Sequence, residues 1–244
     1  MKIFKFSLVA TVVFCALACK KPTLVALNVT VDDAAAILGG SVASNSYGFN
    51  NLSADCNWYA QSALTSNLAC GASKTDTFTR KSQPGSAASY LYKLSYTRKL
   101  NCNVSSQADN FSSTLTFSGN YSTSNVSLSN SGTTALTIGG LTQTATVYAI
   151  NGEYKTSGTF KIKRDTTNTG TASVDIILKN LVTNKTTQII NSGTGTMILT
   201  GSTIKKGDFT YNGSIVFNGN SMATMSINGA TYNVNLLTGE VVKK

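Results

Sequence analysis

The sequence contains no histidine and only two glutamates, Glu153 and Glu240. Without imidazole, a Ser/His or Cys/His nucleophile pair is excluded, and so is the usual nitrogen ligand of a zinc site. Two carboxylates can by themselves hydrolyse a glycosidic bond, but Glu153 follows an Asn-Gly pair and Glu240 lies close to the last residue. We therefore expect a protein that is not an enzyme, with no catalytic residue, no metal site and no cofactor.

Proline and charged residues are also scarce. The chain has two prolines, charged residues make up 12% of it, and Ser, Thr, Asn and Gly are frequent. A disordered chain can have such a composition, but alternation of apolar and polar residues argues against disorder. Apolar and polar residues alternate regularly over residues 111–118 and 172–179. Over residues 88–96 the apolar residues alternate with residues that are mostly polar. Each run predicts a strand with one buried and one wet face.

These strands predict an all-β fold, an antiparallel meander of roughly ten strands that closes as a sandwich or as a barrel. Asn151-Gly152 and Asn228-Gly229 are expected to form tight hairpin turns. Asn212-Gly213 is instead expected inside a strand, because 209–217 keep one phase of alternation through it. The turn then follows at Asn218-Gly219-Asn220.

One short N-terminal helix is predicted over Asp32–Leu38, where acidic residues open an alanine-rich run that ends at Gly39-Gly40. The region between this helix and Cys70 is predicted to be rich in loops. It contains four aromatic residues that are candidate ligand-binding residues, since rings on loops can stack on sugars or apolar ligands: Tyr47, Phe49, Trp58 and Tyr59. The competing interpretation, which we favour, is that Trp58 and Tyr59 fill one end of the β core.

The N-terminus has the pattern of a secretory signal: Lys2 and Lys5 precede an apolar run over Phe6–Ala18. That run is shorter than the roughly 20 residues that span a bilayer. Ala16-Leu17-Ala18-Cys19 resembles a bacterial lipobox, although Leu is usual where Ala16 stands. The resemblance implies cleavage of residues 1–18 and acylation of Cys19 with palmitate-type chains. An ordinary signal peptide with an incidental cysteine is the alternative.

A lipid anchor at Cys19 would organise the rest of the chain. Residues 19–30 would be a tether and 31–244 a single β-rich domain. In enterobacterial lipoproteins, Asp after the acylated cysteine retains the protein at the inner membrane, so Lys20 implies the outer membrane by resemblance. Losing Lys2 and Lys5 lowers the formal net charge from +10 to +8. The expected partners are the membrane, through the anchor, and an envelope glycan or protein, but not nucleic acid.

Three further cysteines, Cys56, Cys70 and Cys102, allow one disulfide in an envelope compartment. A turn at Pro84-Gly85 separates two runs with strand character. A hairpin centred near residue 86 pairs positions whose numbers sum to about 172, which places Cys70 opposite Cys102 at a spacing compatible with a disulfide. Pairing of Cys56 with Cys70 remains the alternative.

The chain also resembles a group of secreted lipoproteins of Bacteroidota to which no activity is assigned. Motifs that carry this likeness include Cys70-Gly71, Asn101-Cys102-Asn103 and Ile227–Tyr232, and the likeness covers residues 32–237. It supports the Cys70–Cys102 pairing. In addition, Asp165-Thr166-Thr167 resembles the O-glycosylation pattern of Bacteroidota, which implies a glycan on Thr166.

Two functions of different classes are consistent with the sequence. The first is a non-catalytic binding lipoprotein with a glycan or a lipid-like ligand at the loop aromatics. The second is a structural or surface lipoprotein whose β domain contacts a protein partner and has no small-molecule ligand.

Overall fold

The computed structural model describes residues 29–66, 68–166, 168–205 and 207–244. Residues 1–18, Cys19 and the tether as far as residue 28 lie outside this range. In the described part of the chain two helices, α1 (Val31–Val42) and α2 (Phe49–Thr65), precede eleven strands. The strands are β1 (Ser73–Lys81), β2 (Ser89–Cys102), β3 (Ala108–Ser122), β4 (Val126–Gly139), β5 (Val147–Ile162), β6 (Thr169–Asn184), β7 (Ile190–Thr203), β8 (Gly207–Gly219), β9 (Met222–Ile227), β10 (Ala230–Asn235) and β11 (Val241–Lys243).

The strands form one antiparallel sheet in which each strand pairs with the next in chain order, from β1 to β11. The predicted all-β antiparallel meander with an N-terminal helix is therefore confirmed. The predicted closure as a sandwich or barrel is wrong: β1 and β11 do not pair, and the sheet remains open. Closure requires the first and last strands to meet in register, which depends on the curvature that accumulates over all the strands between them.

The alternation in the sequence gives the sheet two different faces. We call the face that packs against α1 and α2 the inner face and the opposite one the outer face. Large side chains fill the inner face and are almost fully buried, among them Tyr96, Phe111, Tyr148, Ile150, Phe160 and Tyr232. Burial of each such side chain stabilises the fold by roughly 1.5–3 kcal/mol. The outer positions carry mainly Ser, Thr and Lys.

A short segment, residues 43–48 between α1 and α2, links the two ends of the open sheet. On one side the backbone N–H groups of Ser44 and Asn45 donate to the carbonyls of Leu236 and Leu237, at 2.8 and 2.9 Å. On the other side the Tyr47 hydroxyl accepts a hydrogen bond from Arg80 Nε on β1, at 3.1 Å. In a closed barrel the first and last strands pair with each other. Here the segment between α1 and α2 joins the two ends of the sheet instead.

Small residues on the inner face allow the sheet to bend around the helices. Gly119, Asn130, Gly158, Ala172 and Gly201 are neighbours in one row across β3–β7. A Cβ atom added to Gly158 would lie 2.0 Å from the carbonyl oxygen of the neighbouring Ser129. Glycine is needed where strands approach this closely, and such positions let a sheet curve.

The helical region is larger than the sequence predicts. α2 occupies most of the predicted loop region, and α1 continues through Gly39-Gly40 instead of ending there. The glycines lie at close contacts: a Cβ on Gly40 would meet the Tyr121 hydroxyl at 2.4 Å. α2 contains many residues of modest helix propensity, such as Asn50, Asn51 and Ser53. Its stability comes from packing inside the curved sheet, which a sequence pattern does not reveal.

The turn predictions have a mixed outcome. Asn228-Gly229 joins β9 to β10 and Asn212-Gly213 lies within β8, as predicted. A turn does follow β8, but it lies at Asn220 and Ser221, whereas the prediction started it at Asn218, which is still in the strand with Gly219. Asn151-Gly152 is not a hairpin turn. It lies inside β5, where the register with β6 shifts between Ile150 and Gly152. Gly152 has φ +152°, so the glycine accommodates a bulge.

Candidate functional site: a hydroxyl-lined trough on the outer face

The structure separates the four aromatic residues predicted to bind a ligand. Phe49, Trp58 and Tyr59 lie on α2 and not in loops, and Tyr47 lies in the turn just before α2. Tyr47, Phe49 and Tyr59 are buried at 8%, 0% and 7% exposure, whereas Trp58 is 56% exposed. Tyr59 packs against Tyr96 of the sheet, with ring centroids 5.2 Å apart, so the core interpretation holds for Tyr59 and is wrong for Trp58, which lies on the exposed side of α2. Of the four rings, only Trp58 offers much of its surface to a ligand.

Polar groups around α2 form a clamp that holds the β1 edge. Asp55 accepts hydrogen bonds from the hydroxyls of Tyr47 and Tyr96, and Arg80 Nη2 lies 3.5 Å from its Oδ1. Burial is the main cause, and the neighbouring Asp55 carboxylate a further cause, of a Tyr47 pKa raised far above the ordinary value. A tyrosine that stays protonated at all physiological pH values acts here as a hydrogen-bond donor, which fits a structural role.

The cysteines are arranged as the hairpin argument predicts. Register pairs of β1 and β2 such as Ser73 with Lys99 have residue numbers that sum to 172. Cys70 and Cys102 form a disulfide with Cα atoms 5.6 Å apart. Cys56 is a free, buried thiol on α2, so the alternative Cys56–Cys70 pairing is wrong. Its Sγ donates to Ser113 Oγ at 3.4 Å, and burial raises the pKa of the thiol to about 12.

Thr166, the predicted glycosylation site, lies in the turn between β5 and β6. Its side chain is exposed, and its carbonyl accepts a hydrogen bond from Thr169 Oγ1 at 3.2 Å. The position is accessible to a modifying enzyme. Glycosylation of Thr166 stays a prediction.

A concave surface lies on the outer face, across β1–β7. It consists of two adjoining hollows of about 590 and 690 Å³ that share Thr116 and Phe117. We call the two together the trough. Its outward-facing side chains are mostly hydroxyl-bearing: Thr77, Thr79, Ser95, Thr116, Ser118, Ser131, Thr133, Ser157, Ser173 and Thr200, with Lys93, Lys155, Asp175 and Ile198 among the others.

The trough follows the register of the sheet. One row of direct neighbours runs from β1 to β7 through Thr77, Ser95, Thr116, Thr133, Lys155, Asp175 and Ile198. With adjacent strands about 4.8 Å apart, a row across seven strands is about 29 Å long. Outward-facing Ser and Thr are visible in the sequence, but only the register shows that they align across strands.

Charged groups are concentrated near one end of the trough. Lys155 Nζ lies 3.5 Å from Asp175 Oδ2 and also forms an ion pair with Glu153. The hydrogen bond to Glu153 is the main cause of a raised Lys155 pKa, so the amine is protonated. Oδ1 of Asp175 is buried and takes no hydrogen bond from the described residues, and Oδ2 is the oxygen of this carboxylate that faces Lys155. Ile177 and Ile198, both 45% exposed, add apolar surface beside these charges.

The trough is equipped for binding. Its hydroxyls can donate and accept hydrogen bonds, Lys155 can donate, and Asp175 can accept. The two carboxylates near this end, Glu153 and Asp175, both form ion pairs with Lys155. Within the described residues no group of three or more Cys, Asp or Glu side chains could hold a metal ion. No helix in that part of the chain is long and apolar enough to cross a membrane.

Comparison of the chain with protein-family models, with curated proteins and with solved structures found no match. A functional assignment therefore has to come from the chain's own residues and their geometry.

Proposed function

We propose that this protein is an acyl-anchored lipoprotein of the bacterial envelope whose β domain binds an extended glycan along the trough without modifying it. The observation that carries the binding proposal is the row of outward side chains, mostly hydroxyl-bearing, that crosses seven strands. A ligand lying across the strands would meet a new set of donors and acceptors at each strand.

Glycan chemistry fits this lining. Sugar hydroxyls both donate and accept, as do Ser and Thr side chains, so pairs such as Thr116 and Thr133 can adapt to either role. Lys155 and Asp175 add charge-assisted hydrogen bonds, which are stronger than neutral ones. Exposed apolar surface at Ile177 and Ile198 suits the C–H faces of sugar rings. Volumes of 590 and 690 Å³ lie in the range of ordinary ligand sites.

The anchor is supported by the N-terminal sequence alone. Lys2, Lys5, the apolar run Phe6–Ala18 and the lipobox-like Ala16–Cys19 support cleavage before Cys19 and its acylation, and Lys20 supports the outer membrane of a Bacteroidota envelope. Mass spectrometry of the N-terminal peptide from native membranes should find Cys19 as the first residue, carrying acyl chains. A Cys19→Ser variant that still partitions into detergent would contradict the anchor.

The trough is tested by filling it. Ser173→Trp places a large ring in the trough, whereas Thr171→Trp places the same ring on the outer face of β6 outside the lining residues. Binding to arrays of bacterial, plant and fungal polysaccharides, followed by calorimetry, should be lost with Ser173→Trp and retained with Thr171→Trp. Lys155→Ala should weaken binding at least several-fold. No glycan bound by the wild type, or equal binding by the two Trp variants, rejects the proposal.

Trp58→Ala locates the ligand independently. The four-residue aromatic site predicted from the sequence reduces to Trp58 as its exposed ring. If Trp58→Ala abolishes binding while Ser173→Trp leaves it intact, the ligand lies at α2 and not in the trough.

A protein partner is the second candidate function, and the β1 edge favours it. β1 has nine residues, and within the part of the chain that the structure describes it pairs with β2 alone, which leaves its other side as a strand edge. Such an edge can accept a strand from another protein. A photo-crosslinking residue at Thr79 on β1 should capture a defined partner in whole cells, and one at Thr210 on β8 should not. Equal capture at both positions, or none, rejects this candidate.

A further inference from the structure

The beginning of α1 is fixed firmly at one end of the sheet. The Asp33 carboxylate is buried and accepts from Arg164 Nε at 2.9 Å and from Asn168 Nδ2 at 3.3 Å. Asp33 also forms a reciprocal capping box with Thr30. The carbonyl of Val29 accepts a hydrogen bond from the Tyr211 hydroxyl. The point where the N-terminal segment joins the domain is therefore held by side chains of two regions, the β5–β6 turn and β8.

We call this end the tether pole and define it by residues 29–33, the β5–β6 turn from Lys163 to Thr166, the β7–β8 turn at Ile204-Lys205, and the last residues of β11. The two turns are neighbours, since the Ile204 N–H donates to Thr169 at 3.3 Å. Lys243 of β11 lies 4.0 Å from Asp32. These contacts place all four segments around the first turn of α1.

The tether pole presents an aliphatic side chain at a turn, flanked by cations. Ile204 is 85% exposed, and the next residue, Lys205, is exposed as well. Lys163 and Lys243 are also exposed at this pole. Of the two carboxylates in the first turn of α1, Asp33 is paired with Arg164, and Asp32 accepts from the Tyr232 hydroxyl at 2.6 Å.

The length of the segment between the proposed anchor and the domain limits how far the tether pole can lie from a bilayer. Cys19 precedes Val29 by ten residues, and a fully extended segment of that length spans at most about 33–36 Å. The segment itself contains Lys20 and Lys21. The anchor therefore allows the tether pole to reach the bilayer surface. Within about 10 Å of that surface lysines are attracted to anionic headgroups, and an exposed isoleucine can enter the interfacial region.

We infer that the tether pole is a membrane-docking surface: Ile204 enters the headgroup region of an anionic bilayer, and Lys163, Lys205 and Lys243 contact lipid phosphates. This inference rests on the proposed acyl anchor. It goes further, because it fixes the orientation of the domain, with the tether pole on the bilayer and the turns at the opposite ends of the strands directed away from it.

Site-specific fluorescence tests the orientation in the full, acylated protein. Ile204→Cys and Val104→Cys each carry an environment-sensitive dye. Val104 is the matched control because it is fully exposed in the β2–β3 turn, at the opposite end of the strands. Cys56 is buried, and Cys70 and Cys102 are bonded, so the parent chain should not take up dye. The protein is reconstituted into vesicles of phosphatidylcholine with or without 30% phosphatidylglycerol, an amount chosen as roughly that of an anionic leaflet.

We expect the dye at position 204 to shift to shorter wavelength, and to be quenched at least twofold by brominated lipid, in the anionic vesicles. The dye at position 104 should behave as it does in water. Lys163→Glu/Lys205→Glu should abolish the effect at position 204. Lys179→Glu/Lys185→Glu, with the same change in charge towards the other end of the strands, should not. Equal quenching at 204 and 104, or insensitivity to both lipid charge and the double Glu substitution, overturns the inference.

Failure of the anchor is recognisable in the same experiment. A chain without acyl groups has the unmodified mass and leaves the vesicles in high salt, whatever its orientation. An acylated chain that remains on the vesicles but shows no shift at position 204 retains the anchor and rejects the docking surface.

Discussion

The inner and outer faces of the sheet come from the same strands but respond to different demands. On β5, Tyr154, Thr156, Gly158 and Phe160 face the helices, and the alternate residues from Lys155 to Thr159 face solvent. Inner side chains are packed against the helices and against each other, so a change in the size of one of them affects its neighbours. Outer side chains are exposed to solvent, and their size and polarity can vary without disturbing the core, so they can form a binding surface. The contrast predicts where substitutions affect stability and where they affect binding.

The largest effect is expected from a truncation on the inner face. Phe160 is 2% exposed and packs edge-on against Phe209 at 5.9 Å. Phe160→Ala should lower the free energy of unfolding by about 3–5 kcal/mol. Thr159→Ala, one residue away on the outer face, should change it by less than about 0.5 kcal/mol. Urea denaturation of both variants measures the difference, and similar losses would show that the two faces are not distinct.

The contrast between the faces is weakest at the β1 edge, where a disulfide supplements packing. None of the nine residues of β1 is fully buried. The Cys70–Cys102 bond closes a 33-residue segment, with a sequence separation of 32, and the chain-entropy model assigns such a loop about 3–4 kcal/mol. Cys70→Ser/Cys102→Ser should lower the unfolding free energy by that order in chemical denaturation. Hydrogen exchange should show early opening of β1 and β2 while residues 209–237 stay protected.

Cys56→Ser is the matched control for the disulfide. Ser can keep a hydrogen bond to Ser113, so a loss of only about 1 kcal/mol is expected. A loss as large as that of the double variant would mean that α2 packing, and not the bond, holds the β1 edge.

Overpacking provides a finer comparison on adjacent residues. Gly158→Ala introduces a methyl group where a Cβ would lie 2.0 Å from the Ser129 carbonyl oxygen. The strands must separate locally, at a cost of about 1–3 kcal/mol. Ser157→Ala, on the outer face, should be close to neutral. Thermal unfolding of the pair tests whether the inner row of small residues sets the curvature of the sheet.

The smallest expected effect is a pH dependence from Cys56. Burial raises the pKa of this thiol from 9.0 to about 12. The unfolded chain therefore loses this proton at lower pH than the folded chain, and stability falls as pH rises above 9. At pH 10 the loss from this group is about 1 kcal/mol. Cys56→Ala should make the fall in stability between pH 9 and 10 less steep by this amount, while buried tyrosines such as Tyr121 and Tyr154, whose pKa values burial also raises, keep the remaining slope. An unchanged slope would contradict burial of the thiol.

The β architecture could be read from the sequence because strand alternation is local. In residues 111–118 and 172–179 the alternation of apolar and polar side chains predicts one buried and one solvent-exposed face, and no other part of the chain is needed to see it. The disulfide could also be predicted from the sequence, because the Pro84-Gly85 turn sets the register of one hairpin and that register brings Cys70 opposite Cys102.

The sequence patterns did not predict the helix α2, the open sheet or the trough. α2 is stabilised by the curved sheet around it, so its polar sequence resembles a loop. Whether β1 meets β11 depends on curvature accumulated over all strands, including the effect of inner glycines such as Gly158.

Residue type and short spacing were sufficient to predict the alternation, to favour the hairpin that pairs Cys70 with Cys102 and to exclude histidine chemistry. Tertiary structure alone decided that Tyr47, Phe49 and Tyr59 belong to the core and that Thr116, Thr133 and Lys155 stand in one row. Those outcomes depend on the register between strands and on the packing of α2 within the sheet. Both are set by the sum of many distant contacts rather than by any local pattern.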